Sequence, residues 1–271
     1  MKRDYPVEFV YQALSLLVAL IVVHTIYVTV VRPRADAILA DQVAQMQHDP
    51  TYVQERSPWV VVRDFEQEAC FVLMLWAIAI MAFKGLMVAR ESKLLQADFV
   101  PVPEGTRILP EDAREYARQI QELSAAQKSS LLPRVLLAAL QRFGATRNIQ
   151  DVSTTARALC DAESERLYSE LSMVRYIAWA IPSIGFLGTV RGIGDALGKA
   201  HQAVEGEIVG VTQSLGVAFN STFVALLISI FVMFLLHQLQ LRQERLVLDT
   251  ETYLDHNLIS YLQVTGSTTA G

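Results

Sequence analysis

The sequence predicts an all-α integral membrane protein with four membrane-spanning helices and a helical cytoplasmic domain. Its composition is intermediate, because 52% of the residues are hydrophobic and 19% are charged. This is too apolar for an ordinary soluble protein and too polar for a bare membrane bundle. Four windows are long and apolar enough to cross a bilayer, which takes roughly 20 mostly apolar residues. A long charged stretch between the second and third windows accounts for the helical domain.

Each predicted span has few polar residues. The first span lacks the small-residue cleavage site of a signal peptide, so we expect it to remain as an anchor. Its single histidine, His24, is interpreted as a hydrogen-bonded packing residue. Lys84, near the inner end of the second span, is expected to extend its amine to the headgroups. The four spans are residues 10–31, 69–90, 176–200 and 211–237.

The distribution of positive charge sets the predicted orientation. Lysine and arginine are frequent between the second and third spans, whereas the loop 201–210 has neither and carries Glu205 and Glu207. Positive charge near spans stays on the cytoplasmic side. We therefore expect both termini in the cytoplasm. The predicted segments outside the bilayer alternate between cytoplasm and periplasm, starting in the cytoplasm: 1–9, 32–68, 91–175, 201–210 and 238–271.

Helices are also predicted outside the spans. A short surface helix is expected over Ala35–Met46 in the outer loop, after a break at Arg32-Pro33-Arg34. In the middle segment, a helix that starts near Ser153 is expected to run without a break into the third span. Such a helix would pass motion from the bilayer to a cytoplasmic partner or, in the simpler alternative, hold subunits together. The tail from Gln238 to about Leu262 is predicted to be helical.

The third span carries small residues at four-residue spacing. Gly188, Gly192 and Ala196 form one stripe, and Gly185 lies one turn before it. Small residues let helices approach closely in lipid, where packing takes the place of the hydrophobic effect. Pro182 removes a backbone donor and should bend or loosen the helix. The stripe alone is equally consistent with a packed helix pair that has no transport role.

The fourth span contains a polar cluster, Asn220-Ser221-Thr222, within an apolar helix. Thr189 of the third span is at a similar depth, because each residue adds about 1.5 Å along a helix. Two hydroxyls at one level can line a narrow polar path. They can also bond to backbone carbonyls one turn back, which is common for such residues in membrane helices. Spacing alone favours this second interpretation.

No aspartate or glutamate is predicted well inside a span. Asp195 is nearest, and with Arg191 and Lys199 it is interpreted as a charge cluster at the membrane surface; a relay for the transported ion is the alternative. Ion transport through lipid needs a group that binds and releases the ion, and ionisable residues in spans mark such groups. If the chain transports an ion, we expect the carboxylate to come from another polypeptide.

Several function classes are disfavoured. The net charge of -5 argues against nucleic acid as a partner. We find no metal-ligand spacing, nucleophile elbow, phosphate loop or paired acids, so neither an enzyme nor a bound metal or cofactor is expected. The predicted topology puts Cys70 and Cys160 on opposite sides of the bilayer, so both are expected to be free thiols.

The third and fourth spans resemble a known family. Ala180–Gly194, with Pro182 followed by Gly185-Phe186-Leu187-Gly188-Thr189-Val190-Arg191-Gly192-Ile193, is similar to the P-x-x-G-L-L-G-T-V-x-G-I signature of the MotA/TolQ/ExbB proton channel family. The fourth span, with Ala218, Thr222 and Ala225-Leu226, is similar to the second threonine-bearing helix of that family. Phe186 replaces the usual leucine. Four spans fit the flagellar-stator branch, whereas the signature fits the TolQ/ExbB branch better.

The resemblance implies a stator subunit of an ion-driven motor in the bacterial inner membrane. It implies a homo-pentamer around a dimer of a single-span MotB/TolR/ExbD-like subunit, which supplies the titratable aspartate. Thr189 and Thr222 would shape the ion path, with Ser221 and Asn220 beside them, and Pro182 would let the third span flex. Helix packing would involve the glycine stripe and Ala218. Proton is the expected ion, and sodium is the alternative. The rival function is a non-conducting membrane scaffold that recruits partners through its cytoplasmic helices.

Overall fold

The computed structural model describes residues 5–48, 56–97, 99–101, 106–204 and 206–264. The chain forms two compact units. We call Met1–Ala82 with Met173–His237 the span unit, and Phe83–Ser172 with Gln238–Gly271 the helical unit. Four helices are long and apolar enough to cross a membrane. The prediction of an all-α chain with four such helices is confirmed.

Eleven α-helices are found in the described part of the chain. A π-helical turn, Tyr27–Val31, joins the first two, and a short 3₁₀ turn, Ile259–Tyr261, follows the last. In chain order the helices are α1 Tyr5–Ile26, α2 Arg32–His48, α3 Pro58–Val61, α4 Phe65–Leu94, α5 Ala113–Gln121, α6 Ala125–Lys128, α7 Leu131–Thr146, α8 Ile149–Glu170, α9 Ser172–Gly198, α10 Ala200–Val204 and α11 Val209–Asn257.

The predicted break after the first span is absent. The π-helical turn leads directly into α2, so the chain stays helical through Arg32-Pro33-Arg34. Pro33 is the second residue of α2, directly after the widened turn. Proline lacks the N–H that would bond to the preceding turn of a continuous helix, and here it follows a π-helical turn, in which the regular bonding pattern is already locally changed. The surface helix expected over Ala35–Met46 is therefore part of this longer helix.

In the span unit, α1 and α4 pack side by side in opposite directions. Tyr11 Oη donates to Ala79 O at 3.1 Å, and Trp76 Nε1 donates to Gln12 O at 3.0 Å. In the π-helical turn that follows α1, Tyr27 packs near Phe71 of α4, with ring centroids 6.4 Å apart. Contacts made by later residues of the first span thus involve earlier residues of α4, as expected for antiparallel helices.

The helical unit has its own apolar core. α7 contributes a completely buried face that includes Val135, Leu136 and Phe143, and it packs against α8 and α5. The chain end closes this core, because Ile108 N donates to Tyr261 O at 2.8 Å in an isolated β-bridge region. The helix expected to run unbroken into the third span is interrupted at Leu171, which leaves helical geometry with φ -89° and ψ 4°.

Lys84 belongs to the helical unit and does not extend to the headgroups. Its side chain is only 3% exposed, and Nζ lies 2.8 Å from Glu170 Oε2. Glu170 also lies 3.4 Å from Arg166 Nε, and Arg166 binds Glu163. The snorkelling prediction was wrong because α8 places a carboxylate where the buried ammonium needs one.

Candidate functional site

The small residues of the third span lie against the fourth. An ideal Cβ added to each of three α9 glycines would lie, in order, 2.4 Å from Ala225 Cβ, 2.5 Å from Ser221 Cβ and 2.6 Å from Ala218 N. Real Cβ atoms essentially never come this close to other atoms, so α9 and α11 approach at a distance that only glycine allows. These glycines are Gly185, Gly188 and Gly192.

This close approach brings Thr189 of α9 and Thr222 of α11 together. Their Oγ1 atoms hydrogen-bond to each other. Thr189 Oγ1 also lies 3.0 Å from Ala218 O, and Thr222 Oγ1 lies 3.2 Å from Gly185 O. Each hydroxyl therefore reaches a backbone carbonyl of the opposite helix as well as the other hydroxyl. The two side chains are partly exposed at the edge of the span unit, so a polar spot remains at its surface.

The other two polar residues of the α11 cluster point elsewhere. Ser221 is 1% exposed; its Oγ donates to Val217 O at 2.8 Å and lies 3.4 Å from Gln67 Nε2 of α4. Asn220 is partly exposed, and within the described residues its side chain makes no hydrogen bond. The structure therefore joins the two threonines and separates Ser221 and Asn220 from them.

Pro182 lies inside α9, which continues through it. Because proline has no N–H, the carbonyl of Ala178, four residues earlier, loses the donor that a regular helix would supply. Ser229 of α11 supplies one, since its Oγ donates to Ala178 O at 3.2 Å. In lipid, freed backbone groups are commonly satisfied by a neighbouring helix in this way. Sequence reasoning missed Ser229, although a serine in an apolar span next to a proline-bearing helix is a usable signal.

The first turn of α4 carries polar residues that the sequence reasoning assigned to the outer loop. Glu66 forms a bidentate ion pair with Arg191, with Nε–Oε1 and Nη2–Oε2 distances of 2.8 Å each. Of the expected cluster, Asp195 contributes to the electrostatic surroundings of Arg191, whereas Lys199 Nζ donates to Ser214 Oγ at 2.9 Å. The sequence reasoning missed the Glu66–Arg191 pair because α4 begins before the apolar run that marks the span.

The same turn of α4 also contacts the first span. Glu68 is nearly buried; its Oε1 lies 2.7 Å from His24 Nδ1, and its Oε2 binds Arg32. His24 is therefore bonded, but to a carboxylate, so a charged group does lie beside the spans. Just before α4, burial raises the pKa of the Asp64 carboxyl above its usual range, although Arg63 and Arg191 oppose the shift. Among the described residues, no three His, Cys, Asp or Glu side chains group as a metal site would require.

Comparison with known families supports one assignment. The family described as the MotA/TolQ/ExbB proton channel family matches residues 127–252, a range that includes both Thr189 and Thr222. Compared individually, no curated protein and no solved structure matches the chain. Residues 127–252 are thus similar to the MotA/TolQ/ExbB proton channel family, and the four membrane-competent helices make the chain a multi-pass membrane protein.

Proposed function

We propose that this chain is the channel-forming stator subunit of an ion-driven motor in the bacterial inner membrane. In this role it couples ion flow to rotation or other mechanical work, with both termini in the cytoplasm. The observation that carries the proposal is the Thr189–Thr222 hydroxyl pair, held between two glycine-packed helices and partly exposed. The family match adds the proton channel class.

The surroundings of the pair favour a partner helix. Phe186 and Phe219, each one turn from a threonine, are exposed by 64% and 69%. The two rings lie beside the partly exposed hydroxyl pair. Exposing these hydroxyls to hydrocarbon costs free energy, because polar groups there need hydrogen-bond partners. Hydroxyls can accept and donate a hydrogen bond, but they cannot hold the charge of a transported proton at neutral pH. The nearest carboxylates of the chain itself, Glu66 and Glu68, are already held in ion pairs. We therefore assign the titratable carboxylate to a single-span subunit of the MotB/TolR/ExbD type, present as a dimer within five copies of this chain.

The oxygen atoms at the pair favour proton over sodium. Sodium would need several oxygen ligands at once. Ser221 faces α4 and Asn220 is not bonded to the pair, so the convergent oxygens are two hydroxyls and the carbonyls of Gly185 and Ala218. All four already take part in hydrogen bonds to one another, which leaves no set of oxygens free for a sodium ion. Proton transfer needs only a short chain of hydrogen-bonding groups. Pro182 allows α9 to adjust when the partner carboxylate changes protonation.

The decisive test measures ion flow and assembly in the same samples. The tagged chain is purified from its native membranes with the proteins that accompany it and reconstituted into liposomes that contain a pH-sensitive dye. Thr189→Val and Thr222→Val keep side-chain shape but remove each hydroxyl. The matched control is Ser183→Ala, which removes an α9 hydroxyl whose Oγ donates to Trp179 O of its own helix at 3.1 Å.

Both threonine variants should lower proton flux by about tenfold or more, because a hydrogen bond to a charged group contributes roughly 1.5–3 kcal/mol. The accompanying proteins should still co-purify, and the control should conduct normally. A non-conducting scaffold would give no flux in any sample, or flux that ignores both threonine substitutions. Either result would refute the proposed function.

A further inference from the structure

We infer that Glu66 and Gln67, successive residues in the first turn of α4, are positioning residues that hold α9 and α11 in register for the Thr189–Thr222 pair. The inference rests on the proposed function, since it assigns these residues a task in the same ion path. Neither residue touches the path itself. Each acts through one polar contact on a threonine-bearing helix.

The Glu66 contact fixes α9 close to its threonine. Glu66 binds Arg191, which lies two residues after Thr189, through two parallel hydrogen bonds of 2.8 Å. A bidentate carboxylate–guanidinium pair restricts orientation as well as distance. The Glu66 side chain also passes close to Gly188, where an added Cβ would lie 3.1 Å from Glu66 Cγ. α9 is therefore held against α4 within one turn of its hydroxyl.

The Gln67 contact fixes α11 in the same way. Gln67 is 0% exposed, and its Nε2 lies 3.2 Å from Val61 O and 3.4 Å from Ser221 Oγ. Ser221 gives its own hydrogen to Val217 O, which leaves its oxygen free to accept from Gln67. Since Ser221 directly precedes Thr222, this bond sets the rotation of α11 at the pair.

Together the two contacts add directional hydrogen bonds to the packing of the glycines. Contacts between small apolar residues have no preferred direction of their own. Polar contacts from a third helix give that direction. The next residue, Glu68, binds His24 and Arg32 of the first span and its continuation, away from the threonines. A substitution of Glu68 therefore provides a matched control, because Glu68 lies in the same helical turn as Gln67 and is also buried.

The first experiment measures the register of the two helices without any ion flow. The full chain, with Cys70→Ser and Cys160→Ala, carries Thr189→Cys and Thr222→Cys. Membranes are treated with copper phenanthroline as the oxidant, and disulfide formation is followed by the loss of maleimide–polyethylene glycol labelling. Two thiols that replace hydrogen-bonded hydroxyls should oxidise readily. Glu66→Gln or Gln67→Leu should slow oxidation about three- to fivefold, the equilibrium effect of one interhelical hydrogen bond. Glu68→Gln should oxidise at the parental rate.

A double-mutant cycle separates positioning from general loosening. Ser221→Ala removes the Gln67 bond from the other side, so it should slow oxidation as much as Gln67→Leu does, and the double variant should be no slower than either one. Additive slowing, or oxidation of Glu66→Gln and Gln67→Leu at the rate of Glu68→Gln, would overturn the inference. If Gln67→Leu fails to fold by gel filtration, Ser221→Ala takes its place.

The flux assay then distinguishes this inference from the proposed function. With both threonines present, Gln67→Leu should lower proton flux, and Glu68→Gln should not. Slower oxidation together with lower flux supports positioning. Normal flux in Gln67→Leu despite slower oxidation refutes a task in the ion path. Normal flux in Thr189→Val refutes the proposed function itself, whatever the register of the helices.

Discussion

Replacing Gly192 with alanine should destabilise the packing of α9 on α11. The new Cβ would lie 2.6 Å from Ala218 N and 2.7 Å from Ser214 O. Both are backbone atoms, so the helices must separate rather than a side chain turn aside. Overpacking of this kind costs about 1–3 kcal/mol. Alanine also favours the helix over glycine by about 0.8–1 kcal/mol, which offsets part of that cost at this position.

Gly194 gives the matched control, because it lies in the same helix and an added Cβ meets no described atom within 4 Å. Gly194→Ala should therefore gain only the helix-propensity term, which both variants share, and the two variants should differ by the overpacking cost of about 1–3 kcal/mol. This corresponds to roughly 2–12 °C in melting temperature. Tryptophan fluorescence of the detergent-purified protein during heating measures it. Equal melting temperatures for the two variants would refute the close approach of α9 and α11.

Two further predictions concern the helical unit. Cys160 is fully buried, which raises the pKa of its thiol to about 12. At pH 8 the reactive thiolate is therefore nearly absent, and a maleimide should label Cys160 only after denaturation. Rapid labelling of the folded protein would contradict the burial of Cys160. Lys84→Met leaves the carboxylate of Glu170 with Arg166 alone and should cost roughly 1–3 kcal/mol, whereas adding Glu170→Gln should recover most of the loss. Melting temperatures of both variants test this, and an unchanged value for Lys84→Met would rule out a stabilising pair.

The sequence predicted those features that depend on a repeated local pattern. Four apolar windows predicted four membrane-competent helices, and equal depth predicted that Thr189 and Thr222 share one level. Ser221 shows the limit of this reasoning. It is adjacent to Thr222, but successive residues on a helix point about 100° apart, so one faces the other threonine and its neighbour faces α4. Only the position of a third helix decides which hydroxyl meets which partner.

The remaining misses have a common physical cause. Hydropathy assigns polar residues at the edge of an apolar run to a loop, so Glu66, Gln67 and Glu68 were placed outside the second span. In the structure, the side chain of each of the three residues bonds to a partner on a different helix, and this bond offsets the cost of burying a polar group. Lys84 was misplaced for the same reason, since its partner Glu170 is distant in sequence. Partners that lie far apart along the chain leave no periodic signal.

The central claim is that the threonine pair faces a companion helix that carries the titrating acid. Phe219, one turn before Thr222, is 69% exposed and accepts p-benzoylphenylalanine with little change of shape. Irradiation of native membranes should cross-link this position to a small single-span protein with an aspartate or glutamate in its span, identified by mass spectrometry. The same label in place of Phe9 of α1, which is 73% exposed, should not give that product. Cross-links from position 219 only to lipid or to other copies of this chain would contradict the account.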